Sequence, residues 1–425
     1  MVAEETDVVV VGAGGGGAVL GLALAQRGIR TIVLEQAAGP PAGLRGEILQ
    51  PNGQRILDQL GVLHRLPASA VKAVRHFHFC RAAESSRPPE RLYTVDYGTL
   101  PAPYDRAVVT LPNVAHHAIL QAFEAAAPGS LRYGVSFRSV VRDDHRVTGV
   151  VAEQGGETLT IRTNLVIGAD GALSQVRQAI GFPTQVHLYK EGYLIALLDQ
   201  AEPIDEAWYY VGARTILGLF PAAEGRLYLF YMIPADSMNQ VKAQGLEALR
   251  TRWTQIAPQF ERTFRNLTDW GRTAYMPTGR VRTSTWVADG AALIGDAAHA
   301  MNPHASQGRM QAMADAMTLA DLIPKCLEGG CSAEALQAYE RRRRPQVDML
   351  QRLADEQVLF WNSGNPIFGW LRDRVFRTLD RNRRLRHAVL ETTAGLRESA
   401  PFGWLDRLMA AGLLPDPNHD RLAHH

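Results

Sequence analysis

A run of four valines, Val8 to Val11, opens directly onto Gly12-Ala13-Gly14-Gly15-Gly16-Gly17, and no other stretch narrows the possible folds of this chain so far. Such a β-branched run suits a strand buried on both faces. The pattern after it predicts a helix from about Gly15 to Arg27. A second apolar strand follows over Thr31 to Leu34 and ends at Glu35, eighteen residues beyond Gly17. Strand, glycine turn, helix, strand and acid in that order form a dinucleotide-binding unit. Gly12 permits the tight turn, Gly14 lets a pyrophosphate approach the backbone, and Gly17 lets the helix pack closely on the strand. The helix N-terminus adds free N–H groups. Glu35 is placed to accept hydrogen bonds from both hydroxyls of an adenosine ribose. This motif alone does not separate FAD from NAD.

Two later segments repeat the theme of a strand that ends in a carboxylate. Leu165-Val166-Ile167-Gly168-Ala169-Asp170-Gly171 reads as a buried strand and a turn, with a helix beginning near Ser174. Ala291-Ala292-Leu293-Ile294-Gly295-Asp296 is another short apolar strand ending in Gly-Asp. Pro303 and Ser306-Gln307-Gly308 come next, before a helix from about Arg309 to Leu322. An acid at the carboxyl end of a parallel strand, followed by a helix N-terminus, is where a doubly wound sheet places its ligand contacts. The positive end of that helix would also stabilise negative charge on a ligand placed there.

With these three motifs in this order, the chain resembles the class A FAD-dependent monooxygenases of the p-hydroxybenzoate hydroxylase fold, over roughly residues 5 to 345. The resemblance implies FAD as the bound cofactor and NAD(P)H as co-substrate. It places Gly12, Gly14 and Gly17 at the FAD diphosphate, Glu35 at the adenosine ribose, and Gly295-Asp296 at the ribityl chain. Asp170 falls where the family motif assists both FAD and the nicotinamide cofactor. Pro303, Gln307 and Gly308 would line the isoalloxazine, and Arg45 matches the family arginine near the flavin. Two departures stand out. Many members read Gly-Gln-Gly-x-Asn where this chain has Ser306-Gln307-Gly308-Arg309-Met310, which predicts a loop that sits differently. Asn113 stands where the family has an arginine that starts a helix and contacts FAD. The stretch Gly46 to Gly53 is also similar to squalene epoxidases, which oxygenate isolated alkenes.

The 425 residues hold no internal repeat and no low-complexity linker, so the domains must be interleaved. The expected class is α/β: a doubly wound, Rossmann-like FAD-binding domain (1–72, 101–182 and 280–345) interleaved with an antiparallel-sheet substrate domain (73–100 and 183–279). A C-terminal helical region (346–425) completes it. Strand-like runs at Tyr193 to Leu198, Trp208 to Val211, Thr215 to Phe220 and Arg226 to Ile233 imply the antiparallel sheet. Tyr193, Tyr209, Tyr210, Phe220, Tyr228, Phe230 and Tyr231 are available to one face or the other, and alternating aromatics of this kind would bury a largely apolar ligand.

Composition excludes several classes. Lysines and arginines number 45 against 43 acids, too even a balance for gripping nucleic acid. Cys80, Cys326 and Cys331 form no CxxC pair and no evident disulfide framework, which points to a reducing, cytoplasmic setting without zinc. No apolar stretch reaches the length of a membrane span. His76, His78, His116, His117, His299 and His304 fall in no bounded metal-ligand pattern and read as structural or surface residues. A serine nucleophile lacks its GxSxG elbow. Glu340 to Arg386 carries twelve arginines against six acids, interspersed with Phe360, Trp361, Trp370 and Phe376. Basic aromatic helices of this kind either cap domains or lie on anionic membranes.

The resemblance therefore implies an NAD(P)H-dependent monooxygenase that uses O2 to hydroxylate, or secondly to epoxidise, an apolar or aromatic small molecule through a flavin C4a-hydroperoxide. The cofactor carries the hard step, so no protein nucleophile is required. The rival is a flavin-dependent reductase or halogenase on the same scaffold. A halogenase should show Trp-x-Trp-x-Ile-Pro, and the seven tryptophans form no such pair. A non-enzymatic FAD-binding protein would share the same motifs.

Overall fold

Val8, Val9 and Val10 are fully shielded because their strand, Glu4–Val11, lies in the middle of a sheet. In the computed structural model, which describes residues 4–44, 47–83 and 87–421, it pairs in parallel with Thr31–Glu35 on one side and Glu157–Gly168 on the other. Ala291–Leu293 runs parallel to the last residues of Glu157–Gly168, and Leu131–Tyr133 extends the opposite edge. The hairpin Val135–Asp143 and Arg146–Gln154 adds antiparallel strands. Strand register sets where the turns emerge. Val11 stands beside Gly168, and Gly168 beside Leu293, so the turns at Gly12, Asp170 and Gly295 lie along one edge of the sheet. The helices Gly15–Ala25 and Gly308–Glu328 pack together beside these turns.

A second, seven-stranded sheet is antiparallel except for one parallel pair, Ala207–Gly212 with His76–Arg81. Its order runs Thr273–Thr283, Thr184–Asp199, Arg226–Pro234, Thr215–Pro221, Ala207–Gly212, His76–Arg81, Glu90–Asp96. Successive side chains point to opposite faces. Leu194, Ala196, Leu198, Tyr210 and Leu229 pack on one face with Trp253 and Phe264. Tyr193, Ile195, Phe220 and Tyr228 occupy the other, with Trp361, Phe376 and Leu390 of the C-terminal helices. The aromatics read from the sequence are thus divided, with Tyr210 and Tyr231 turned away from the rest.

The C-terminal helices Ala333–Trp361, Pro366–Arg381 and Arg383–Thr393 consume much of the local positive charge internally. Arg343 pairs with Asp315, Arg377 with Glu90, and Arg384 with Asp406 and Asp416. Arg374 donates to the carbonyls of Ala411 and Gly412. Among the described residues, no helix is long and apolar enough to cross a membrane.

One expectation from the cysteines is corrected. Cys326 and Cys331 are disulfide-bonded, while Cys80 is free and buried. The helix Gly308–Glu328 ends in a reversal through Gly330 and Cys331, both at positive φ, which folds the chain back until the two Cα atoms stand 4.7 Å apart. That turn closes a pairing across five residues that no CxxC spacing announces. The cysteine-based ground for a reducing compartment falls with it.

Candidate active site

The glycine turn is defined by what a methyl group would strike. A Cβ at Gly12, where φ is +100°, would lie 2.5 Å from the carbonyl oxygen of Ala169, and one at Gly17 would lie 1.9 Å from that of Gly12. These two glycines let strand, turn and helix close on one another. At Gly14 a Cβ would meet nothing within 4 Å, so this position faces open space at the start of the helix. Glu35 reaches the same turn. Its Oε2 accepts from the Ala13 N–H at 2.9 Å and its Oε1 from Ala37 N–H at 2.9 Å.

Asp170 follows the neighbouring strand and turns inward. Its carboxylate accepts from Ser174 Oγ at 2.5 Å and from the N–H groups of Gln175 and Val176, capping the helix Gln175–Ile180. At the third strand end, Gly295 adopts φ +58° and donates its N–H to Asp315. Asp296, beside it, exposes its side chain to a cavity.

That cavity, about 610 Å³, lies between the antiparallel sheet and the loops that follow the parallel strands Glu157–Gly168 and Ala291–Leu293. Tyr193, Tyr209, Phe220, Phe230 and Met276 of the antiparallel sheet form one wall, and Pro303, His304, Ser306, Gly308 and Met310 form the other. Leu173, Val186 and Leu188 are exposed at its rim. Ser306 sits at φ +52°, the left-handed turn in which a non-glycine residue is uncommon. Its loop therefore keeps the conformation a glycine would favour, and its hydroxyl opposes the upward push that burial gives the Tyr209 pKa, both residues lining the cavity. Met310 packs over Gly53, where a Cβ would fall within 2.0 Å of its sulfur.

Gln307 differs from its neighbours. Its side chain is buried away from the cavity, accepting from Asn52 and Gln311 and donating to the Thr393 carbonyl at 2.6 Å. This ties the loop to the C-terminal helices. Beneath it, Asp315 is fully buried and accepts from Gly295 N–H, His299 Nε2 at 2.6 Å and Arg343 Nε at 2.8 Å. Burial pushes its pKa up, but His299 and Arg343 outweigh that and hold it below the usual carboxylate value. Asn113, also at positive φ, donates to the Gly43 carbonyl and so fastens the loop that leads to Arg45, itself outside the described residues.

Three of the six histidines have roles no pattern announced. His76 and His78 share the carboxylate of Glu206, and His299 braces Asp315. His304 is buried rather than on the surface, and it lines the cavity. In the sequence, its place inside the Pro303–Gly308 segment is what marks it.

Residues 5–354 match the FAD binding domain family. The chain belongs to this family. Over 358 residues it is 28% identical to 6-methylpretetramide 4-monooxygenase of Streptomyces rimosus, covering 82% of each chain. Over 417 residues it is 28% identical to 3-demethoxyubiquinol 3-hydroxylase of Escherichia coli, covering 93% of this chain and all of that one. Its fold is also that of p-nitrophenol 4-monooxygenase from Pseudomonas putida, with a TM-score of 0.80 at 20% identity over 93% of this chain and 100% of the other. The chain is an FAD-dependent monooxygenase, and the reductase or halogenase alternative finds no support among these relatives.

Proposed function

We propose that this enzyme uses NAD(P)H and O2 to hydroxylate an aromatic small molecule held in the cavity beneath the antiparallel sheet. The observation that carries this reading is the cavity itself, in which an aromatic wall faces the Pro303–Gly308 segment while Asp296 opens onto the same space. The relatives support it, since by their names they are a 4-monooxygenase of 6-methylpretetramide and a 3-hydroxylase of 3-demethoxyubiquinol.

The residues present fit FAD. Gly14 leaves the backbone bare where a diphosphate must come close, at a helix N-terminus that favours an anion. Glu35 presents a carboxylate beside that turn for the ribose, and Asp296, in the cavity lining, would hold the ribityl hydroxyls. When bound, FAD supplies the redox chemistry by which one oxygen atom of O2 reaches the substrate and the other leaves as water. The protein binds, orients and shields. The N-terminus of Gly308–Glu328 offers positive potential beside the cavity for charge on the reduced ring. Tyr193, Tyr209, Phe220 and Phe230 exclude water and hold a planar ligand. Gln307 positions the loop rather than touching the cavity, through its bonds to Asn52, Gln311 and Thr393.

Turnover under ¹⁸O₂ with an electron-rich phenol tests the reading. Product carrying one labelled oxygen and NAD(P)H consumed in proportion are expected. Product that forms unlabelled, or at an unchanged rate under strict anaerobiosis, overturns it.

A further inference from the structure

Arg309 is the second residue of the helix Gly308–Glu328, and none of the cofactor roles above employs it. Its half-buried side chain lines the cavity with Asp296 and Gly308 and extends to the start of the other helix. A Cβ on Gly15, the first residue of Gly15–Ala25, would fall 2.8 Å from Arg309 Cγ, 3.4 Å from Cδ and 3.2 Å from Nε. Glycine at position 15 is therefore what gives the arginine room. The adjoining Gly14 faces open space, so Arg309 Nε stands beside the bare backbone of the turn.

Two helix N-termini converge at this point. Gly15–Ala25 and Gly308–Glu328 pack together so closely that a Cβ on Gly16 would meet the Ala312 carbonyl oxygen at 3.1 Å. Each N-terminus offers roughly half a positive charge, less together than the negative charge of a diphosphate. Neither Gly12–Gly17 nor the first turn of Gly15–Ala25 carries a basic side chain to supply the remainder. Arg309, a permanent cation reaching in from the neighbouring helix, does.

Resting on the placement of the FAD diphosphate at Gly14, we propose that the Arg309 guanidinium binds that diphosphate from the side of Gly308–Glu328. Its planar fork donates N–H groups to phosphate oxygens, a geometry that an ammonium matches less well. The contact makes and breaks no covalent bond. It joins the starts of the two helices through the cofactor, so that the segment leading into Gly308 is held in part by the group it serves.

Dilution of the oxidised holoenzyme over a series of NaCl concentrations, followed by the fluorescence of released FAD, tests this without turnover. Arg309→Met keeps an unbranched stem over Gly15 and removes the charge. It should weaken FAD by about ten- to a hundredfold and flatten the dependence of that affinity on NaCl. Arg309→Lys restores the charge without the fork, and should regain part of the affinity and the dependence on NaCl. Unchanged FAD affinity in Arg309→Met, or a loss there that leaves the NaCl dependence as it was, overturns the proposal. If Arg309→Met retains no flavin at all, Arg309→Lys decides, and affinity not regained overturns it. Gly14→Ala separates this result from the placement it rests on. Should that variant hold FAD as tightly as the unaltered enzyme, the diphosphate lies elsewhere and the placement fails; should it lose FAD while Arg309→Met does not, the placement stands and the role of Arg309 falls.

Discussion

Around Gly12 to Gly17 the site is shaped by main chain, since the nearest obstacles to a methyl group at Gly12 and Gly17 are carbonyl oxygens. Around His304 it is shaped by side chains from stretches far apart, and Tyr193 and His304 are separated by 111 positions. A backbone surface cannot be re-specified without moving the backbone. The side-chain wall can change one residue at a time while the sheet beneath it stays. Such a division lets one scaffold keep its cofactor and vary its substrate.

The largest expected effect tests the rigid half. Gly17→Ala forces a Cβ into the Gly12 carbonyl and should cost more than about 4 kcal/mol, leaving little folded protein. Gly14→Ala meets no such obstacle, and its thermal stability should change by less than about 1 kcal/mol while FAD affinity falls. Scanning calorimetry of the apoproteins and fluorescence of released FAD separate the two outcomes. If Gly14→Ala unfolds like Gly17→Ala, the turn is a packing device throughout.

Next in size is the polar support under the loop. Arg343→Met leaves buried Asp315 with only His299 as a charged partner, beside the Gly295 N–H, and should destabilise the protein by about 3–5 kcal/mol in urea titration. The same group predicts an acid limb. Its folded pKa lies below the ordinary value of 3.8, so its stabilisation is complete above that value and is lost as pH falls through the lower, folded one. In Asp315→Asn this part of the acid dependence should vanish.

Smaller effects belong to single contacts with the cofactor. Asp296→Ala removes an exposed carboxylate and should weaken FAD by about ten- to a hundredfold, equivalent to roughly 1.5–3 kcal/mol, with the fold unchanged. Glu35→Ala should weaken FAD by less, about tenfold or under, because the turn it braces is also held by Gly12 and Gly17. The rate of oxygen transfer in the loaded fraction should stay the same. A much slower chemical step in that fraction would show that Glu35 does more than hold a ribose.

Legibility followed the same division. The strands Glu4–Val11 and Thr31–Glu35 and the helix between them fall within a few residues of the sequence reading, because valine runs and glycine spacing are local signals. The helix expected to end near Leu322 continues to Glu328 through Pro324, since the packing of its buried face outweighs one lost backbone bond. Gln307 was expected at the isoalloxazine, yet its side chain follows Asn52 and Thr393, partners that no local pattern reveals.

By itself the sequence determined the dinucleotide unit, the order of its three strand-end turns and hence the family, because glycine and carboxylate act there through neighbours in the chain. Long-range packing alone decided that Ser306 takes the left-handed turn and lines the cavity with Tyr209, that Cys326 meets Cys331, and that His304 lines that cavity with Asn362 behind it. Each of those depends on where a distant strand or helix comes to rest. That is fixed by packing over the whole core rather than by the few residues on either side.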